Sequence, residues 1–295
     1  MPRFSINQLT TYRWTFDEDV YHAQRVGFDS VGVWRRKLAD FGEERGAELL
    51  ADEGLRVSSL SWSGGFTGAD GRTQEESVED GIVALRQGAR VGAECLIVYS
   101  GGRNNHITPH ACRLLRQALD RLVRAAEVAD VILALKPMHP ECASEWSFLT
   151  DLEKSIELIT SYDSPYLKLV YDNYHFPYLH RQEGMLRELI PHLALVQLGD
   201  ARLPHSVDQL RCPLGAGLLE VGETLRALCE HGYNGAFDVE LMGDEIESHN
   251  YEPLLRQVYQ FLASCSGNLP PSGISVSPQV PSVSRVSGHA TRRAR

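Results

Sequence analysis

The sequence predicts a single (β/α)8 barrel, because eight short apolar segments alternate with eight amphipathic segments along most of the chain. The apolar segments carry nonpolar residues at successive positions, as parallel strands covered on both faces do, and helical periodicity lies between them. Alternating strands and helices imply a parallel sheet, and eight units favour its closure into a barrel. An open doubly wound sheet is the alternative that counting does not exclude.

The elements can be assigned in chain order. The first four units have the strands RFSIN, SVGVW, VSSLSW and ECLIVYS, followed by helices over residues 16–27, 38–53, 74–92 and 108–129. The last four have VILALKP, LKLVYD, LALVQLGD and GAFDVEL, followed by helices over 146–162, 182–190, 217–231 and 251–264. The barrel domain is therefore predicted over residues 1–265. The Ser-, Pro- and Gly-rich residues 266–295 are predicted to be a disordered tail.

Composition narrows the class of protein. A formal net charge of −10 argues against broad nucleic-acid binding, which needs clustered Lys and Arg. Six cysteines without a CxxC pair favour reduced thiols over a disulfide scaffold. No segment approaches the roughly 18 apolar residues of a membrane span, and the N-terminal residues lack a secretory apolar core. We expect a cytoplasmic protein with no membrane partner.

Polar and aromatic residues gather at the predicted ends of the strands, where the active site of such a barrel lies. They are Trp62, Tyr99, Arg103, Lys136, His139, Asp172, His175, Gln197 and Glu240. Asp172, Gln197 and Glu240 supply oxygen atoms from three successive strands, which suits Mg²⁺ or Mn²⁺. Any one of them could instead satisfy backbone groups of a loop.

Other strand-end residues suggest contacts to a substrate. His175 could donate to a substrate oxygen or move a proton, or it could simply bond to a loop. Arg103, in GGRNNH, offers a cation for an anionic oxygen, although the spacing is not that of a P-loop. Trp34, Trp62 and Tyr99 could form an apolar wall against a sugar ring, or serve packing alone.

Five segments carry a resemblance to a known family. They are LALKPMHP (133–140), LVYDNYH (169–175), VQLGDAR (196–202), LGAGLLEVGETLRAL (214–228) and GYNGAFDVEL (232–241). With them the chain resembles the sugar phosphate isomerase/epimerase family of the xylose isomerase-like TIM barrel superfamily, over residues 3–264. The resemblance implies isomerisation or epimerisation of a small sugar or polyol-derived carbonyl compound by proton transfer through an enediolate.

The same resemblance assigns roles to residues. It implies that a divalent metal, Mn²⁺ or Mg²⁺ with Zn²⁺ as a further candidate, is held by Asp172, Gln197 and Glu240. Glu240 is the expected general base. His175 and Arg202 are expected to position substrate oxygens, and the strand-five end adds His139 to the substrate contacts. A homo-oligomer is compatible with the resemblance.

Lys136 departs from the family pattern, because the family has a metal-binding Glu at this position. An ammonium there should weaken binding of a divalent ion. Three hypotheses follow: Glu141, Glu145 or water completes a weakened metal site; Lys136 itself replaces the cation or acts as a base or Schiff-base nucleophile; or the barrel binds sugar without catalysis. Endonuclease IV-like DNA repair, also found in the superfamily, is disfavoured by the acidic balance and by too few metal ligands.

Overall fold

A computed structural model describes residues 2–203, 205 and 207–267. Eight parallel strands form a closed barrel in sequential order, with the last strand paired to the first. The strands are β1 (Arg3–Asn7), β2 (Ser30–Trp34), β3 (Arg56–Gly64), β4 (Cys95–Tyr99), β5 (Ile132–Leu135), β6 (Leu167–Asp172), β7 (Leu193–Leu198) and β8 (Ala236–Val239). The predicted barrel and all eight predicted strands are confirmed.

Ten α-helices surround the strands in the described part of the chain. They are α1 (Phe16–Val26), α2 (Arg35–Phe41), α3 (Glu43–Asp52), α4 (Gln74–Val91), α5 (Thr108–Ala129), α6 (Leu152–Thr160), α7 (Glu183–Leu189), α8 (Val221–Glu230), α9 (Asp244–Ser248) and α10 (Tyr251–Cys265). Local signals explain their ends. In α4, for example, Thr73 and Glu76 cap each other's backbone N–H groups, and Gly92 ends the helix at φ 66°.

Two predicted helices differ from the observed ones. The segment predicted as one helix over 38–53 forms two, because Gly42 adopts φ 104° and interrupts the helical backbone. The helix predicted from residue 146 starts only at Leu152. A short 3₁₀ turn occupies Pro140–Cys142, and the Asp151 side chain accepts a hydrogen bond from the Lys154 N–H as the helix cap.

The barrel wall separates two apolar clusters. Outward-facing side chains such as Val31, Leu96 and Leu133 pack against the helices in the main core. Inward-facing side chains form a smaller cluster within the barrel that includes Ile97 and Val170. Alternate strand residues face opposite sides of a sheet, so the residue just past each strand end lies at the rim of the barrel. This geometry brings the predicted site residues toward one another.

Two further predictions concern the C-terminal tail and membrane-spanning segments. Of the predicted disordered tail, residues 268–295 lie outside the described residues. Within the described residues, no helix combines the length and the apolar character needed to cross a membrane.

Candidate active site

Four charged side chains meet at the C-terminal rim of the barrel, and we call them the ionic quartet: Lys136, Asp172, Arg211 and Glu240. Lys136 Nζ lies 2.9 Å from Asp172 Oδ2 and 2.9 Å from Glu240 Oε1. Arg211 Nη2 lies 2.9 Å and 3.2 Å from the same two oxygen atoms. Each of the four residues is at most 2% exposed. Two buried cations therefore neutralise two buried carboxylates.

Three members of the quartet are placed by the strands. Asp172 is the last residue of β6, whereas Lys136 and Glu240 directly follow β5 and β8. Their backbones continue the ladder, since the Lys136 N–H donates to the Val98 carbonyl and the Glu240 N–H to the Leu198 carbonyl. Closure of a parallel barrel brings such strand ends to one rim, as the sequence predicted.

Arg211 reaches the quartet from the long connection between β7 and α8. Asp200 organises this connection by accepting backbone N–H bonds from Ala201 and Leu219 on one oxygen, and from Gly215 and Gly217 on the other. The Arg211 N–H donates to the Met242 carbonyl, and its Nη1 donates to the Glu240 carbonyl. These backbone hydrogen bonds direct the guanidinium toward the two carboxylates.

Space for the Arg211 side chain depends on Gly199, which follows β7. A Cβ atom at this position would lie 2.7 Å from Arg211 Nη1. Real Cβ atoms do not approach a neighbour so closely, so a larger residue would displace the guanidinium. The sequence analysis missed Arg211. The only local signal is its place just before the family-like LGAG segment.

Contacts within the quartet favour the charged forms of its members. Burial alone would lower the pKa of Lys136, but the adjacent Asp172 and Glu240 carboxylates outweigh burial and raise it. Burial would likewise raise the pKa of Asp172, but Arg211 and Lys136 hold it well below its usual range. Lys136 is thus an ammonium in this environment, whereas a base or Schiff-base nucleophile must be a neutral amine.

Gln197 takes part in the site as a donor. Its Nε2 donates to Glu240 Oε2 at 2.6 Å and to Asp238 Oδ2 at 3.3 Å, while its Oε1 is buried without a hydrogen-bond partner. Because both partners are carboxylates, which accept and do not donate, the NH₂ group must face them. The amide oxygen, the only atom of this side chain that could bind a metal, is therefore not the atom that faces Glu240.

The residues present therefore do not fit a divalent metal. Lys136 Nζ and Arg211 Nη2 contact the oxygens of Asp172 and Glu240 that a metal would need. Within the described ranges, no group of three or more His, Cys, Asp or Glu side chains is arranged to hold an ion. The set Asp172, Gln197 and Glu240, expected from the sequence as metal ligands, comes together as an ion-paired and hydrogen-bonded cluster.

His175 lies beside the quartet as a neutral imidazole. It is 1% exposed, its Nε2 is 3.7 Å from Asp172 Oδ2, and neither ring nitrogen has a hydrogen-bond partner. Burial lowers its pKa well below the usual value, and the nearby Lys136 and Arg211 cations lower it further, whereas Asp172 opposes the shift. Its unpartnered nitrogens leave one donor and one acceptor for a ligand oxygen.

Asp238 belongs to a polar layer inside the barrel. It directly precedes Val239, the last residue of β8. Its carboxylate accepts from Ser5 Oγ at 2.8 Å, from Asn7 Nδ2 at 2.8 Å and from Gln197 Nε2 at 3.3 Å. No cation contacts it in the described part of the chain. Burial raises its pKa to about 6, and these hydrogen bonds only partly oppose the rise.

The raised pKa of Asp238 predicts a dependence of stability on pH. The folded state holds this proton more tightly than the unfolded state, so its stabilising contribution is complete below about pH 4 and disappears as the pH rises through about 6. The expected loss is about 2–3 kcal/mol. Urea unfolding between pH 4.5 and 8 should show a smaller fall in the free energy of unfolding in Asp238→Asn than in the natural chain, where the buried Asp19, with its pKa raised to about 7, also contributes. The exposed Asp52→Asn should keep the full fall, and an unchanged fall in Asp238→Asn would contradict the assignment.

An aromatic cleft with a volume of about 740 Å³ lies near the quartet. Its aromatic lining consists of Tyr12, Trp34, Trp62, Tyr99 and Trp146. The rings of Trp62, Tyr99 and Trp146 contact one another edge to face, with centroids 5.5–5.9 Å apart. Tyr99 connects the cleft with the quartet, since its ring centre is 5.8 Å from Lys136 Nζ.

A short segment also separates the cleft from the quartet. Gln209 lines the cleft, and Arg211, two residues later, is buried in the quartet. None of the four quartet residues lines the cleft itself. Within the cleft, Tyr99 and Gln209 are the lining residues nearest to the quartet in contact or in sequence.

The other predicted substrate residues are dispersed. Trp62 and Tyr99 line the cleft, but Arg202 is 51% exposed and pairs with Glu245 at 3.0 Å. Arg103 lines a separate cavity of about 520 Å³ together with residues of α5 and α6. His139 stacks on His205 with ring centres 4.0 Å apart. The guanidinium that reaches the charged site is thus that of Arg211. Among the aromatic residues of the cleft, the sequence analysis did not select Tyr12 and Trp146.

Comparison with known proteins shows the family of this chain. The xylose isomerase-like TIM barrel family matches residues 20–265, which is most of the chain. The chain belongs to this family. The predicted resemblance is confirmed. A comparison with curated protein sequences finds no match.

Solved structures of the family's fold are similar at low sequence identity. The protein SMc04130 from Sinorhizobium meliloti 1021 has a TM-score of 0.78 and 22% identity, covering 89% of this chain and 98% of its own. The IolI protein, solved with a zinc atom, has 0.77 and 17%, covering 89% and 97%. The 3-keto-D-glucoside 4-epimerase YcjR from E. coli has 0.75 and 14%, covering 90% and 100%. At these identities the likeness establishes the fold.

Proposed function

We propose that this protein is an isomerase or epimerase that acts on a small sugar or polyol-derived carbonyl compound. The reaction is proton transfer at the carbon next to the carbonyl, through an enediolate. The observation that carries the proposal is the ionic quartet, in which Lys136 and Arg211 bring two positive charges to Asp172 and Glu240 at the rim of a xylose isomerase-like barrel. Among its structural neighbours are proteins described as sugar epimerases.

The quartet supplies the groups that such a reaction needs. Glu240 is the proton acceptor, because a carboxylate at the rim can reach a carbon bound above it. The Lys136 ammonium donates a hydrogen bond to the carbonyl oxygen and stabilises the negative charge that develops there. Neutral His175, with both ring nitrogens unpartnered, binds a neighbouring hydroxyl. Fixed charge on the protein takes the electrostatic role, and no step requires a metal.

Reaction requires the substrate to replace a contact of the quartet. Arg211 is the member that a loop supplies, whereas the other three belong to strand ends. Withdrawal of the segment from Gln209 to Arg211 would open the quartet toward the aromatic cleft and release one oxygen each of Asp172 and Glu240. Lys136 would remain between the carboxylates and contact the incoming oxygen.

The proposal is tested by proton exchange in D₂O. Ketoses, aldoses and keto-inositols are incubated with the purified chain, and loss of the α-proton signal is followed by NMR. Glu240→Gln should lower the exchange rate by about 100-fold or more, since a general base commonly contributes this much. The exposed Glu223→Gln on α8 is the matched control and should retain the rate. Equal exchange with Glu240→Gln would exclude Glu240 as the base.

A second function is favoured by the burial of the quartet. Because all four residues are at most 2% exposed, a ligand could be held in the aromatic cleft without reaching them. The chain would then be a sugar-binding barrel without catalysis. Sugar binding with no α-proton exchange for any compound of the panel would support this second function over the first.

A further inference from the structure

The aromatic cleft has a second cavity of about 240 Å³ as its neighbour. The two cavities share Trp62, Asp70, Tyr99 and Trp146 in their linings. The three mutually packed rings of this set therefore border both compartments. Aromatic faces pack well against the C–H faces of sugar rings, because both surfaces are flat and weakly polar. The combined space is larger than one monosaccharide ring requires.

Two of the three arginines in the cleft are already engaged. Arg35 binds Asp80 through both terminal nitrogens at 2.9 and 3.0 Å and also donates to Gln87 and the Trp62 carbonyl. Arg72 donates to Asp70 at 2.7 and 2.9 Å and to the Gly64 carbonyl. Each of these guanidinium charges is already paired with a carboxylate, which weakens its attraction for a phosphate group.

We call the aromatic cleft and the second cavity together the extended cleft. Its overall charge is also unfavourable to an anion. Its lining contains three arginines and four carboxylates, namely Arg35, Arg36 and Arg72 with Asp70, Asp80, Glu145 and Glu247. Arg36 has no hydrogen bond or ion pair within the described residues, but it is exposed at the edge of the cleft. A phosphate dianion would therefore face net repulsion over most of the cavity.

We propose that the extended cleft binds an uncharged glycoside of at least two rings, with one ring in each cavity against Trp62, Tyr99 and Trp146. A phosphorylated monosaccharide is disfavoured, although the family resemblance includes enzymes for sugar phosphates. The inference rests on the proposed function in one respect: the ring on the quartet side carries the reacting carbonyl. Binding itself does not depend on that reaction.

Tryptophan fluorescence gives a direct test, because three of the four tryptophans line the cleft. The full chain is titrated with methyl α-glucoside, with maltose, cellobiose and sucrose, and with glucose 6-phosphate. At least one disaccharide should bind about fivefold or more tightly than the methyl glucoside, as one additional aromatic contact predicts. Glucose 6-phosphate should bind no more tightly than the methyl glucoside, and disaccharide binding should not change with ionic strength.

Variants localise the binding. Trp146→Ala should weaken disaccharide binding about tenfold or more, and Trp146→Phe should keep most of the binding. If Trp146→Ala does not fold, the result with Trp146→Phe serves as the test. Trp14→Phe is the control, since Trp14 stacks on His22 outside the cleft. Tighter binding of glucose 6-phosphate than of every disaccharide, abolished by Arg36→Ala, would overturn the inference. So would a lack of response to all three disaccharides.

The two proposals fail in different ways. Disaccharide binding without α-proton exchange would support the glycoside cleft and count against the proposed isomerase. Exchange with a sugar phosphate and none with neutral sugars would support an isomerase and overturn the glycoside cleft.

Discussion

Replacement of Lys136 by methionine is expected to lower the free energy of unfolding by about 3–5 kcal/mol at pH 7. The substitution removes one cation from a fully buried site and leaves two carboxylates against Arg211 alone. An uncompensated charge in a buried site is costly, because water cannot reach it. Denaturant unfolding measures the effect. Lys154→Met is the matched control, since the Lys154 side chain is 77% exposed and should contribute little.

A double-mutant cycle tests whether this loss arises from charge. Lys136→Met combined with Glu240→Gln restores neutrality, with Arg211 facing only Asp172. The double variant should therefore be more stable than the sum of the single effects predicts, by about 1–3 kcal/mol. Additive effects would mean that Lys136 stabilises the barrel by packing, and the ionic interpretation of the quartet would then be abandoned.

Metal binding is expected to appear only when both cations of the quartet are removed. Lys136→Glu with Arg211→Met places three carboxylates at the rim and frees the oxygens of Asp172 and Glu240. Gln197 can then turn its amide oxygen toward the ion. This variant should bind about one equivalent of Mn²⁺, whereas the natural chain should hold less than about a tenth of an equivalent.

The single variant Lys136→Glu tests whether Arg211 also prevents metal binding. Lys136→Glu alone retains Arg211 on the same two oxygens, so it should bind Mn²⁺ at least about tenfold more weakly than the double variant. Elemental analysis and calorimetric titration supply the measurements. Arg202→Met combined with Lys136→Glu is the control, because Arg202 is paired with Glu245 at the surface. A natural chain that purifies with stoichiometric metal would show that the quartet is not its resting state.

Much of the candidate site followed from the sequence, because strand ends are local features. The apolar segments predicted the eight strands, and closure of a parallel barrel then required Lys136, Asp172, Gln197 and Glu240 to lie at one rim. The departure of Lys136 from the family pattern was also visible in the sequence. It raised the question of how a cation could occupy the position of a metal ligand.

The sequence could not predict which loop residues return to that rim. Arg202 and Arg211 both follow β7, but only Arg211 enters the quartet, since Asp200 and the Met242 carbonyl hold the loop in that path. The sequence likewise could not predict that Trp146 lines the aromatic cleft and that Arg103 lines another cavity.

What the sequence alone determined was the barrel, its strands and the residues at their ends, because these depend on short-range periodicity. The tertiary structure alone decided the position of the second cation, Arg211, and the direction of the Gln197 amide. Together these make the three expected metal ligands part of an ion-paired and hydrogen-bonded cluster. Both depend on hydrogen bonds between residues far apart in the chain. Such bonds form only when the closed barrel has brought their partners within reach.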